Sequence, residues 1–276
     1  MTQLSVFVTT FNNAETLSAC LNSVNFADEV LVLDSYSTDA TPQICNQHGV
    51  KFIQNKFLGY GRQKQLALDN TTGEWVLFLD ADEMLSEELR QQLIELRASG
   101  FDQGKFEGYE FPRNEQVFWR MSATTTRKNH YIRLFRRDAA SFTKMPVHAT
   151  VDVKGPIRRL EGCFYHFGET DIHLKVDKVN GYSTGLVRDK VEKGRRPNPW
   201  IMVFYPPFFF IRSYIFKRGF TNGWAGFIAS CVGTFYVFLK YAKLYEHERF
   251  DKDGLSHLPQ GAPELKTPAQ RYSGPV

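Results

Sequence analysis

Glu74-Trp75-Val76-Leu77-Phe78-Leu79-Asp80-Ala81-Asp82-Glu83 is the stretch that decides how this chain is read. Five apolar residues in succession, Trp75 to Leu79, follow Gly73 and are rich in β-formers, which predicts a strand buried on both faces. The strand ends in three acidic side chains, and the carboxyl end of a strand in an open α/β sheet faces the ligand crevice. Asp80 and Asp82 occupy alternate positions, so in extended chain they point the same way, and a small turn brings both to one cation. Hard oxygen ligands of this kind suit Mg²⁺ or Mn²⁺, which bridge one or two carboxylates to the phosphates of a substrate. The plain alternative is a solvated Asp-x-Asp loop. The buried strand before the acids and the helix after them favour the metal site.

Upstream, Leu4 to Thr10 predicts a first strand, and Asn12 or Asn13 is placed to cap a helix with Leu17, Leu21 and Val24 on one face. Glu29 to Asp34 predicts a second buried strand, again closed by a carboxylate. Thr41-Pro42 opens a helix that Gly49 ends. Val50 to Ile53 and Arg62 to Asn70 supply a third strand and helix. Downstream, Ser86 caps a fourth helix with acids in its first turn and Leu89, Leu93 and Leu96 inward. The β-α-β-α-β-α-β-α order predicts a mostly parallel, doubly wound α/β sheet flanked by helices. Right-handed crossovers then place Thr9, Asp34, Asp80 and Asp82 on a single rim. The first βα turn lacks the glycines of a dinucleotide fingerprint, and no Walker A sequence occurs.

With 276 residues, 42% of them hydrophobic and 23% charged, the chain has room for one large domain and an appendage. A net charge of +4 gives no footing for nucleic acid, although most of the Lys and Arg fall in the second half. Cys20, Cys45, Cys163 and Cys231 match neither a zinc pattern nor a disulfide framework and read as reduced thiols of a cytosolic protein. Met1-Thr2-Gln3-Leu4 enters a strand with no basic n-region, so no signal peptide is expected.

Four segments carry a resemblance: residues 4–13 (LSVFVTTFNN), 30–41 (VLVLDSYSTDAT), 61–68 (GRQKQLAL) and 73–83 (GEWVLFLDADE). Their order resembles that of family 2 glycosyltransferases, which are inverting, metal-dependent nucleotide-sugar enzymes of the GT-A fold. The remainder, through residues 129–136 (NHYIRLFR), 145–148 (MPVH), 179–183 (VNGYS) and 208–245, resembles the WaaE-like β-1,4-glucosyltransferases of the lipopolysaccharide inner core. The resemblance implies a GT-A domain over residues 1–170, a helical region over 171–250 and a flexible tail over 251–276. It implies that Thr9, Thr10 and Phe11 lie beside the uracil of a UDP-sugar donor and that Asp34 accepts a hydrogen bond from that ring. It further implies that Arg62 lies near the nucleotide, that Asp80 is a ribose-side acid and that Asp82 is a direct ligand of Mg²⁺ or Mn²⁺. The acceptor it implies is a lipid-linked saccharide. The family often has two acids where this chain has Asp34-Ser35, and the branch often has His-Glu where this chain has His148-Ala149.

Inverting transfer needs a base to take the proton of the attacking hydroxyl. Asp152 is the first candidate, on a strand predicted from the alternation of residues 147–152, with Glu110 and Glu115 as runners-up. His166 is a candidate second metal ligand or diphosphate contact. Arg133, Arg136 and Arg137 are candidates to meet diphosphate or an acidic acceptor, the alternative being the solvated face of a strand. Two rival readings are a sugar-phosphate nucleotidyltransferase, whose glycine-rich basic loop is missing from residues 9–15, and a non-catalytic saccharide-binding protein on a decayed scaffold. Residues 206–245 combine an aromatic run, cations and an apolar stretch from Trp224 to Leu239 closed by Lys240 and Lys243. That stretch is shorter than the about 20 residues a spanning helix needs. It predicts helices lying in an anionic membrane surface, on the cytoplasmic face of the bacterial inner membrane. A buried helical hairpin or a dimer interface is the alternative.

Overall fold

The structure is a computed structural model that describes residues 3–143 and 150–253. Two compact units make up the chain: residues up to 115 together with 128–168, and residues 116–127 together with those from 169 onward. The expected 145–148 motif, His148 among it, lies outside the described residues, as does the tail from residue 254.

The first unit begins with β1 (Leu4–Thr10), α1 (Leu17–Ser23), β2 (Glu29–Asp34), α2 (Thr41–Gln47), β3 (Lys51–Gln54), α3 (Tyr60–Asp69) and β4 (Trp75–Asp80). Next come β5 (Glu83–Leu85), α4 (Glu87–Ala98) and β6 (Gly108–Val117), whose last two residues pass into the second unit and pair with β7 (Arg120–Met121). β8 (His130–Arg136), β9 (Ala140–Phe142), β10 (Val151–Val153), β11 (Ile157–Arg159) and β12 (Phe164–His166) complete it. The main sheet runs β3-β2-β1-β4-β8-β6-β12-β5. β1 to β4 are mutually parallel, β8 is antiparallel to both its neighbours, and β5 is antiparallel to β12.

Both faces of this sheet are covered, which is why its central strands are continuous apolar runs rather than alternating ones. Val6, Val8, Leu77 and Leu79 pack on one face with Leu17 and Leu21 of α1 and Leu89 and Leu93 of α4. Phe7, Val76 and Phe78 pack on the other with Ala67 and Leu68 of α3 and with Phe142. Ser86 Oγ accepts from the N–H of Leu89 at 3.1 Å, the N-cap that the sequence predicts. The expected cap from Asn12 or Asn13 does not form, because α1 starts later, at Leu17. Asn12 Oδ1 instead accepts from the Thr38 N–H of the next loop, and Asn13 Oδ1 from Thr10 Oγ1 and the Phe11 N–H of its own.

The second unit holds α5 (Ile172–Glu192), α6 (Pro199–Ile211) and α7 (Gly223–Asp253). Pro206 and Pro207 sit inside α6, and its ladder widens into a π-helical turn at Arg212–Phe216. The two prolines leave the carbonyls of Met202 and Val203 without their i+4 donors inside α6. Glycine is required where the chain reverses: a Cβ on Gly226 would stand 2.0 Å from the carbonyl oxygen of Gly219. The apolar stretch closes at Lys240, and the helix itself carries on to Asp253. Lys243 ties it to α5, its ammonium donating to Asn180, Ser183 and Thr184 at 2.7–2.9 Å.

Candidate active site

β1 lies between β2 and β4, so the chain moves outward from β1 to β3 and then returns to the other side of β1 as β4. That reversal is the switch point at which open α/β sheets take ligands. Register puts Thr10 beside Asp34 and Thr9 beside Asp80. The expected rim is therefore a geometric fact, and Thr9 Oγ1 donates to Asp80 Oδ1 across it at 3.0 Å.

The loops after β1 and β2 are tied edge to edge. Asn12, at φ 54°, donates its N–H to Ser37 Oγ and accepts at Oδ1 from the N–H of Thr38, each at 2.8 Å. Asn13 donates to Thr41 Oγ1 and Ala14 to Asp39 Oδ2, each from the backbone at 3.0 Å. Asp34 belongs to this lacing. Its carboxylate is fully buried and accepts from the Ser37 N–H at 3.0 Å, Ser37 Oγ at 2.5 Å and Gln54 Nε2 at 2.9 Å. Asp34, expected to accept from uracil, also accepts from three internal donors and so shapes the loop. The exposed groups above it are Phe11 and Tyr36.

At the end of β4 four charges meet. Lys64 of α3 pairs with Asp80 at 2.7 Å, and Arg133 of β8 pairs with Glu83 at 2.5 Å while standing 3.8 Å from Asp80. Glu83 also accepts from the backbone N–H of Asp80 at 3.0 Å. Phe78 lies beneath both cations, 4.4 Å from the Arg133 guanidinium and 5.0 Å from the Lys64 ammonium. Burial would raise the Asp80 carboxyl, but Lys64 and Arg133 hold it well below the usual carboxylate range. Its pairing therefore stabilises the fold at neutral pH and is lost as acid protonates it. Burial, together with the charge of Asp80, pushes Glu83 upward against the pull of Arg133. Arg133 was expected to face diphosphate or acceptor; the structure buries it among these acids instead. Lys64 and Glu83 are the site residues that sequence reasoning missed.

Asp82 has a different partner. Its backbone carbonyl accepts from the N–H of Phe167 at 2.9 Å, where β5 meets β12, so His166 arrives beside it. His166 Nε2 lies 3.3 Å from Asp82 Oδ2, and Nδ1 lies 2.6 Å from Glu115 Oε2 on β6. Arg113 holds Glu115 from the other side at 2.6 Å. A Cβ on Gly168 would stand 2.5 Å from the His166 ring, so only glycine lets the imidazole sit there. Burial alone would lower the His166 pKa; with no cation beside it, hydrogen bonds to Asp82 and Glu115 overcome burial and push the ring up to about 10, so a metal ion bound at Nε2 would displace a proton.

This geometry fits a small divalent cation. Cis ligands of an octahedral ion bound at about 2.1 Å stand about 3 Å apart, close to the separation of Asp82 and His166. A ligating histidine hands its other ring nitrogen to a carboxylate, which is the place Glu115 takes. Among the described residues no group of three such side chains closes a metal site. An open pair of ligands is what an ion shared with substrate phosphates requires.

The remaining expected residues are dispersed. Arg62 is exposed on α3, two positions from Lys64. Asp152 is exposed on β10, between Val151 and Val153, which pack inward. Among the described residues, the cluster's hydrogen bonds and ion pairs do not include it. Glu110 is taken up by Arg159 at 2.7 Å. Because β8 runs antiparallel to β4, Arg136 falls beside Trp75, at the opposite rim from Asp80, and Arg137 donates to the Thr71 carbonyl.

Comparison with known proteins adds an independent line. The sequence profile of Glycosyl transferase family 2 matches residues 5–154. An uncharacterized glycosyltransferase of Rickettsia felis is 34% identical over 89% of this chain and 90% of its own length. The lipopolysaccharide core biosynthesis glycosyltransferase LpsC of Rhizobium meliloti is 30% identical over 92% of this chain and 98% of its own. Among solved structures, S. aureus TarS 1–349 aligns over 91% of this chain and 92% of that one, with 15% identity and a TM-score of 0.45.

The buried pair makes a stability prediction. Arg133→Ala leaves Glu83 buried without its partner, either charged or forced to take up a proton, and should cost about 3–5 kcal/mol. Chemical denaturation checks it, and the double variant Arg133→Met with Glu83→Gln should lose less than the single one. Equal losses would show that the pairing is not what holds this strand end.

Proposed function

Because the chain belongs to glycosyl transferase family 2, we propose that it transfers glucose from UDP-glucose, with inversion, to a lipid-linked saccharide, an inner-core heptose of lipopolysaccharide. The observation that carries this reading is Asp82 and His166 brought together beside the switch point, with Asp80 fixed next to them. Similarity to LpsC supports the acceptor class. The site of action is the cytoplasmic face of the inner membrane.

In this reading the uracil ring lies against Thr9, Thr10 and the exposed ring of Phe11, on the loop that Asp34 and Asn12 hold in place. Asp80 accepts from a ribose hydroxyl; Lys64 and Thr9 keep its carboxylate ionised and aimed. Arg62, exposed on α3, faces the nucleotide's charge. Asp82 and His166 Nε2 would hold Mg²⁺ or Mn²⁺, which offsets the charge gathering on the leaving diphosphate. Glu115 keeps the Nδ1 proton and thereby leaves Nε2 to face the crevice. Asp152 takes the proton of the acceptor hydroxyl as its oxygen attacks the anomeric carbon and the bond to diphosphate breaks. It is exposed and engages no partner among the described residues, so its carboxylate is free to accept.

Asp82→Asn should abolish transfer at saturating Mn²⁺ while leaving the unfolding transition nearly unchanged, because this side chain supplies charge rather than packing. Near-normal turnover in that variant would remove Asp82 as the metal ligand. Asp152→Asn should lower kcat by about 10²–10⁴-fold with little change in UDP binding, the usual worth of a positioned base. An unchanged kcat would assign the proton to another group.

A further inference from the structure

Among the described residues, α6, the turn after it and α7 leave a broad apolar surface uncovered. Trp200 is 70% exposed, Phe204 64%, Phe216 62% and Trp224 76%. Soluble proteins seldom leave large aromatic side chains exposed together; contiguous apolar patches of this kind mark contact surfaces. The two helices pack on one another through Phe210, Tyr214 and Phe227, with ring centroids 5.8–6.0 Å apart. Their outer faces are therefore the ones exposed. Between them runs an apolar groove of about 480 Å³, bounded by Met202, Pro206 and Phe210 on α6 and by Cys231, Thr234 and Phe238 on α7. Cations stand at both ends of the surface. Arg212, Lys217 and Arg218 lie at the turn, and Lys193, Arg195 and Arg196 precede α6. An apolar face bounded by positive charge matches a lipid leaflet with anionic headgroups.

Length and composition allow a second arrangement. The helix over 219–250 contains an 18-residue window long and apolar enough to cross a bilayer, with a mean hydropathy of 1.3. The hydrogen bonds at the turn decide between the two. Asn222 is 4% exposed; its Oδ1 accepts from the Ala123 N–H at 2.7 Å and its Nδ2 donates to Thr126 Oγ1 at 3.1 Å. Thr221 and Thr126 share a hydrogen bond of 2.9 Å, and the Arg127 N–H donates to the Lys217 carbonyl at 3.2 Å. Residues 116–127 are a strap whose two ends are covalently continuous with β6 and β8, and those strands are already paired at Pro112 and His130. Were the turn on the far side of a bilayer, both arms of this strap would have to follow it through the hydrocarbon. The strap is non-helical and carries Arg120 and Arg127. Lipid-exposed non-helical backbone does not occur at membrane depth, because its N–H and C=O groups would go unpaired.

We propose that α6 and α7 form a monotopic lipid-docking hairpin. Its aromatic face enters one leaflet of anionic phospholipid, its groove takes an acyl chain, and its turn stays on the same side of the membrane as β6 and β8. This deepens the reading of the acceptor as lipid-linked. The test uses neither donor nor acceptor, so failure here and failure of that reading are distinguishable.

Cys231 supplies the reporter, being exposed in the groove while Cys20 and Cys45 are buried. The full chain carrying Cys163→Ser is labelled at Cys231 with an environment-sensitive fluorophore. It is then mixed with vesicles of phosphatidylcholine containing one quarter phosphatidylglycerol. A blue shift with co-sedimentation is expected, weakened by high salt, and Trp200→Ser with Trp224→Ser should reduce the partition coefficient about tenfold or more. For topology, Lys217→Cys in a Cys163→Ser, Cys231→Ser background is expressed in bacteria. A membrane-impermeant maleimide should label it in inverted inner-membrane vesicles and leave it unlabelled in intact spheroplasts. Labelling in spheroplasts would overturn the proposal by placing the turn across the membrane. Absence of a shift would overturn it too, and a stable dimer in aqueous buffer would then assign the surface to a second copy of the chain.

Discussion

Four charges at the carboxyl end of β4 hold the site together. Lys64 and Arg133 face Asp80 and Glu83, so the group is neutral as a whole although each member is partly or fully removed from water. An isolated buried charge is costly, and the pairing is tolerable only because each carboxylate also accepts from a hydroxyl or a backbone N–H. The arrangement draws α3, β4, β5 and β8 to one point. It also fixes where the chain turns after Asp80, and that turn sets the position of Asp82. Asp82 is thus aimed by a neighbour that is itself immobilised by two cations.

The second constraint is the short pairing of β5 with β12. Three residues on each strand suffice to bring His166 to Asp82, and the parallel pairing of β12 with β6 brings the same ring to Glu115. One histidine is thereby held between the carboxylate of Asp82 in the β4–β5 turn and that of Glu115 on β6. The ring nitrogen nearer the crevice meets Asp82 and the other meets Glu115, a division that suits a metal ligand with an orienting carboxylate. Gly168 contributes by its missing side chain.

Much of this was legible in the sequence for a simple reason. The first four βα units are local, periodic and bounded by turn chemistry, so the rim shared by Thr9, Asp34 and Asp80 followed from chain order alone. The inward face of α4 and its Ser86 cap were equally plain. What escaped was non-local. Glu83 and Arg133 are 50 residues apart, and an alternating Arg-x-Phe pattern does not say whether the arginine faces water or a buried acid. Lys64 stood in a helix beside Arg62, and nothing in the spacing says which cation turns inward. Asp34 looked like an exposed strand-end acid, yet Ser37 and Gln54 close over it. β5 is too short to show a period. In the second unit, Lys240 and Lys243 marked the end of the apolar run, but nothing local says that Lys243 finds its acceptors on α5.

The central claim is that Asp82 and His166 Nε2 hold one divalent cation while Glu115 keeps the opposite ring nitrogen. Pulsed electron paramagnetic resonance of Mn²⁺ bound with UDP, on protein carrying ¹⁵N-labelled histidine, tests it directly. The account predicts a ¹⁵N coupling from one directly ligated imidazole, lost in His166→Ala and retained in Glu110→Gln. A spectrum with oxygen ligands alone, unchanged by removal of His166, would contradict it.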